Sequence, residues 1–338
     1  MNTTNSQVLP APPSLMKALM AGFDAISNHI GLILFAVALD LLLWLGPRLS
    51  LARLVDSIFN RAVTLPELRT PEMAEMMSSS RVLWQYMAEQ FNLFSVLRTF
   101  PVGIPSLMVS RSPVAGPGGS PSTIWELPSL GMAAGVWLLL VLAGLVAGTL
   151  YFEAVAQAAL QGRVQWAQIV KDWPWATLQV LALALFWLTL LLGILVPFSC
   201  LLSLFLMGGL QIGSLAILLF GGLILWMFLP LIFSPHGIFA NRRGMWASVR
   251  DGITMTRRTL PSTALFLMLI LILSEGLDVL WRIPKETSWL AFVGVIGHAF
   301  VTTGLLASTF VYYRDSNHWI QRMLQQTKLG VMKSSRKT

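Results

Sequence analysis

Five ionisable side chains stand where this 338-residue chain is otherwise apolar: Asp40, Glu275, Asp278, Arg282 and His298. A charge inside an apolar span costs roughly 2.5–3.5 kcal/mol on insertion scales, so each needs a partner or a use. Glu275 and Asp278 are three apart and share a helix face; Arg282 follows Asp278 by four, within reach of an ion pair. His298 adds the one side chain type that ordinarily titrates near neutral pH. A membrane-embedded acidic cluster with a histidine can relay protons, bind a cation or hold an amine headgroup. The same residues serve equally as polar contacts between helices, with Asp278–Arg282 a simple interfacial ion pair. Both readings stand at this level.

The elements that must carry these groups are long and apolar. Between Asp172 and Arg242 no Asp, Glu, Lys or Arg occurs for 69 residues. As helix, at about 1.5 Å per residue, that stretch is roughly three times the thickness of a bilayer's hydrocarbon core. Charged residues are 11% of the chain, against about 25% in soluble domains, so a polytopic membrane protein is expected. Six spans are predicted, over 26–45, 130–152, 175–197, 213–233, 262–281 and 289–313. Residues 198–212 are apolar but short for a span. They either extend the third helix or turn back near Gly208 and Gly209, with a break at Pro197. The fold class is thus all-α, a six-span bundle with interfacial amphipathic helices.

Basic residues set the sides. Fourteen Lys and Arg lie before span one, between spans two and three, between spans four and five, and after span six; the short opposite loops hold two. This bias predicts a multi-pass protein of the inner (plasma) membrane with both termini cytoplasmic. Residues 1–25 form a cytoplasmic segment with an interfacial helix, lacking the basic start of a signal peptide. Residues 26–313 form the membrane domain and 314–338 a basic tail with Trp319, Ile320 and Met323 at helical spacing.

The insertion 47–129 lies outside. Leu51, Leu54, Val55, Ile58 and Phe59 follow amphipathic helical spacing, and a second helix is predicted from Glu72 to Arg98 with Leu83, Met87, Phe91 and Phe94 on one stripe. These helices cap the bundle or lie on the outer leaflet. Phe100–Pro128, rich in proline and glycine, should be irregular. In span two, Gly131, Gly135, Gly144 and Gly148 form two GxxxG pairs that permit close backbone approach, expected within the chain.

A short pattern recurs before two spans: Arg163-Val-Gln-Trp166-Ala-Gln-Ile169 and Arg243-Gly-Met-Trp246-Ala-Ser-Val249. With Met16–Met20 as a weaker copy, the chain reads as three helical hairpins, each preceded by an interfacial helix. Convergence of interfacial helices on Trp and Arg explains the match without repetition. Arg163, Trp166, Arg242, Arg243, Trp246, Arg250, Arg257 and Arg258 are the candidate headgroup contacts. Their place beside spans makes anionic lipid, rather than nucleic acid, the expected partner. A second membrane protein is the other partner considered.

Sequence motifs for catalysis are lacking: there is no HExxH, P-loop or Cys/His metal cluster, so no cofactor or metal is expected. Ser234-Pro-His236 has no GxSxG context and is read as the end of span four. Cys200, the single cysteine, excludes an intramolecular disulfide. Phe233-Ser-Pro-His-Gly-Ile-Phe-Ala240, the short basic helix Met245–Arg258 and the opening Leu260-Pro261 resemble a broad group of prokaryotic six-span proteins similar to the membrane domain of glycerophosphodiester phosphodiesterases. The resemblance covers about 235–285 and the six-span layout. It implies membrane architecture but not the phosphodiesterase activity, whose soluble catalytic domain is not expected here. The outer insertion departs from the compact family layout. The expected function is a non-enzymatic accessory or lipid-interacting scaffold subunit, or alternatively a transporter or lipid-translocating protein built on the acidic cluster.

Overall fold

A computed structural model describes residues 12–64, 71–111, 115–207 and 213–335. They are almost wholly helical. In chain order the elements are α1 (Leu15–Asn28), α2 (Leu34–Leu45), β1 (Arg48–Ser50), α3 (Ala52–Thr64), α4 (Pro71–Gln90), α5 (Met108–Arg111), β2 (Ile124–Glu126) and α6 (Leu130–Gln161). They continue with α7 (Trp166–Met207), α8 (Gly213–Phe228), α9 (Ser234–Asn241), α10 (Met245–Arg258), α11 (Leu260–Trp281) and α12 (Ala291–Ser335). Five helical stretches are long and apolar enough to cross a membrane, or six if the broken pair at residues 15–45 counts as one. The chain divides into two compact units: residues 1–29, 153–272 and 304–338, and residues 30–152 and 273–303.

Several expected boundaries move, each for a local reason. The first span does not run unbroken from Ile26: α1 stops at Asn28, and the 3₁₀ turn Ile30–Ile33 precedes α2. Pro197 does not end the third span. α7 absorbs Trp166, Pro174, Pro197 and everything to Met207, so the interfacial helix expected before that span is its first turns. A proline removes one ladder bond, and the apolar sequence on either side holds the rest of the helix. At Leu260-Pro261 the outcome is different. Thr259 leaves helical geometry (φ −120°, ψ 24°), and a new helix starts with Pro261 in its first turn, where the missing N–H costs nothing. The fourth span is irregular: α8 passes into a 3₁₀ turn at Leu229–Leu231 before α9. The proposed turn at Gly208 and Gly209 and the end of the basic tail, Arg336 and Lys337, lie outside the described residues.

In the unit of residues 1–29, 153–272 and 304–338, α1 is not merely interfacial. Ala18, Gly22 and Ile26 are buried, and the Ser308 hydroxyl donates to the Leu19 carbonyl at 3.1 Å. Phe233, Met255, Phe266, Tyr312 and Tyr313 form its core, and Ile320 of the expected tail joins it as part of α12.

In the unit of residues 30–152 and 273–303, α4 ends sooner than its apolar stripe suggested. The Asn92 side chain accepts from Phe94 N (3.2 Å) and Leu49 N (3.1 Å), starting a 3₁₀ turn at Leu93–Leu97. Inside the Pro/Gly-rich segment, β2 pairs in parallel with β1, Leu49 opposite Trp125. Such three-residue strands carry no periodicity long enough to read.

The two GxxxG pairs of α6 behave differently. A Cβ built on Gly144 would fall 2.5 Å from the Leu97 carbonyl oxygen, and one on Gly148 3.0 Å from the Gly103 Cα. At Gly131 and Gly135 it would meet nothing within 4 Å. The close approach at 144 and 148 is to the irregular segment 97–103 rather than to a helix. Gly148→Ala is therefore expected to cost about 1–3 kcal/mol by overpacking. Gly135→Ala should be neutral or slightly stabilising through helix propensity. Thermal unfolding of both variants in detergent decides this, and equal midpoints would refute it.

Candidate functional site

In the unit of residues 30–152 and 273–303 two polar groups form around the expected residues. Asp40 on α2 is fully buried. Its carboxylate accepts from the Ser106 hydroxyl (2.5 Å), Met108 N (2.9 Å) and Leu107 N (3.1 Å). The Ser106 hydroxyl in turn accepts from Val109 N at 3.1 Å. Asp40 thus stitches the 106–109 backbone to the apolar helix α2. Charge-assisted bonds of this kind are the strong ones.

The second group joins α11 to α12. His298 Nδ1 lies 2.7 Å from Asp278 Oδ1, and Arg282 Nη2 lies 3.3 Å from Asp278 Oδ2. Asp278 and His298 are both buried, and the Arg282 side chain is 42% exposed. His298 Nε2 is buried without a hydrogen-bond partner among the described residues. Asp278 and His298 thus meet directly, whereas Asp40 is bound to the 106–109 backbone. Glu275 does not join them: it is exposed, with no hydrogen bond or ion pair among the described residues. One helical turn separates it from Asp278, but the turn carries its side chain off the buried stripe.

Polar residues that sequence reasoning passed over complete this region. Arg111 Nε pairs with Glu286 Oε1 at 3.1 Å and its Nη2 donates to the Pro284 carbonyl at 2.6 Å. The Trp44 indole donates to the Glu286 carbonyl at 2.8 Å. Arg48 is buried and donates to the Glu89 and Gln90 carbonyls at 2.8 and 3.0 Å; burial lowers its pKa. No sequence signal marked these pairs, because their members lie 41 to 242 residues apart.

In the other unit the basic candidates divide into engaged and free. Arg242 caps α9 in left-handed geometry (φ 52°) and bridges two carboxylates, Glu153 Oε1 at 2.7 Å and Asp172 Oδ2 at 2.6 Å. Arg242 is therefore held within the chain rather than free for a headgroup. Arg243 pairs with Asp251 at 3.4 Å. Arg163, Trp166, Trp246, Arg250, Arg257 and Arg258 are exposed. Trp246 meets Phe186 edge-on, with centroids 5.3 Å apart. α10 is two-faced: Met245, Ser248, Val249, Gly252, Met255 and Thr256 are buried, opposite the exposed Trp246, Arg250 and Arg257.

Ser234 and His236 open α9 rather than closing a span, and both are buried. His236 Nε2 lies 2.7 Å from Thr309 Oγ1, and its ring packs between Phe233 and Phe310. The Ser234 hydroxyl has no partner among the described residues, so no serine–histidine hydrogen bond forms. Among the described residues no three His, Cys, Asp or Glu side chains gather as a metal site. No family model matches the chain, and no curated protein or solved structure is found similar to it.

Proposed function

We propose that this multi-pass membrane protein is a non-enzymatic accessory or lipid-interacting scaffold subunit of the inner (plasma) membrane, with both termini cytoplasmic. One observation carries the reading: α10 buries one face in its own unit and turns Trp246, Arg250 and Arg257 outward. A helix with that division suits a membrane surface carrying anionic headgroups. Asp40 supports it too, since its oxygens are occupied in holding the 106–109 backbone.

Native mass spectrometry of the full chain, extracted in native nanodiscs, tests the proposal. A stoichiometric protein partner or retained anionic phospholipid is expected. A chain that keeps neither contradicts it. A second reading, a transporter or lipid-translocating protein, is favoured by the buried Asp278–His298 pair with its unpartnered Nε2. On that reading His298→Ala abolishes solute or lipid movement across proteoliposomes made with the full chain. On the scaffold reading there is no such movement to lose.

A further inference from the structure

A cleft of about 420 Å³ opens between α7, the α8–α9 break and α10. Its volume falls within the roughly 300–1,000 Å³ typical of small-molecule sites. Phe186, Leu190, Trp226, Leu231, Ile253 and Leu260 make its walls apolar. Two polar residues interrupt them. Thr256 is fully buried, and its hydroxyl has no hydrogen-bond partner among the described residues. Arg257 lines the same cleft, is exposed, and has no ion pair among the described residues.

The cleft therefore combines a long apolar wall, an exposed guanidinium and a hydroxyl without a partner among the described residues. A free guanidinium beside an apolar cleft is complementary in charge and polarity to an acyl chain bearing a phosphate. Arg suits that phosphate better than Lys because its planar fork donates two parallel bonds. Arg243 and Arg242 cannot replace it, since both are spent on carboxylates.

We propose that this cleft is a specific binding site for one anionic phospholipid, its acyl chain between α7 and α10 and its phosphate on Arg257. The proposal deepens the lipid-interacting reading above and rests on it. The Arg258 guanidinium, next in sequence but absent from the cleft lining, serves as the internal control.

The test uses the detergent-purified full chain, titrated with phosphatidylglycerol or with phosphatidylcholine of the same acyl chains and followed by native mass spectrometry. One phosphatidylglycerol is expected to bind roughly tenfold more tightly than phosphatidylcholine, the scale of one charge-assisted hydrogen bond. Arg257→Gln should remove that preference, and Arg258→Gln should keep it. Leu190→Trp, which fills the cleft, should weaken both lipids alike; since it risks misfolding, Arg257→Gln at an exposed position keeps the test decisive. Equal loss from both arginine variants would overturn the site in favour of diffuse attraction to a basic helix. So would competition by inorganic phosphate as effective as that by the lipid, which would mark a free-anion site. Anionic lipid retained regardless of Arg257 sinks this site and leaves the scaffold reading standing. A chain that binds no lipid and brings no partner from native nanodiscs sinks both.

Discussion

Asp40→Ala is expected to destabilise the protein by about 3–5 kcal/mol, because it strips the acceptor from two buried amides and a hydroxyl, each worth about 1–3 kcal/mol when left unsatisfied. The amides belong to Leu107 and Met108, both buried, so water cannot take the carboxylate's place without opening the segment. Asp40→Asn keeps one acceptor oxygen and should cost less than half as much. The loss should also be local. Hydrogen exchange at the 107 and 108 amides is expected to rise well before that of α6. Thermal midpoints and exchange maps of the two variants check this. Wild-type behaviour in both would show that the carboxylate holds nothing. Unchanged stability with lost transport would assign Asp40 to chemistry instead.

Arg242→Ala has the second largest expected effect. It leaves Glu153, whose side chain is 1% exposed, facing Asp172 without a cation. Breaking a buried pair from one side costs about 3–5 kcal/mol. Arg242 is itself 37% exposed and screened by water, which argues for about 3 kcal/mol, the lower end of that range. The sign of the companion experiment is the sharper test. Glu153→Gln together with Arg242→Met should recover most of the loss, because the buried charge leaves with its partner. A double variant as unstable as Arg242→Ala would mean that Arg242 matters through its left-handed cap geometry and not through its charge.

Each of these residues was partly legible beforehand. Asp40 stood out because a carboxylate in an apolar run is costly. Arg242 stood out as a candidate headgroup contact, though its double pairing with Glu153 and Asp172 did not. The partner of Asp40 was not foreseen: Ser106 lies 66 residues away in a Pro/Gly-rich stretch without periodicity. Glu275 shows the opposite failure. Spacing of three placed it beside Asp278, yet only Asp278 turns inward to His298. The GxxxG pairs make the same point, since identical motifs on one helix meet segment 97–103 at Gly144 and Gly148 and open space at Gly131 and Gly135.

What the sequence determined by itself is what hydropathy and local periodicity carry: a helical chain, its long apolar stretches, the amphipathic helix at Ala52–Thr64, and the residues whose burial would be costly. These follow from interactions within a few turns of one helix. Tertiary structure alone decided which glycines of α6 meet another segment, which of Glu275 and Asp278 turns inward, and which charges meet. A helix gains its hydrogen bonds from neighbours four residues away, whereas an ion pair or a close glycine contact needs a partner brought from tens or hundreds of residues along the chain. The local code names the donor or the acceptor, and the packing of distant segments chooses its mate.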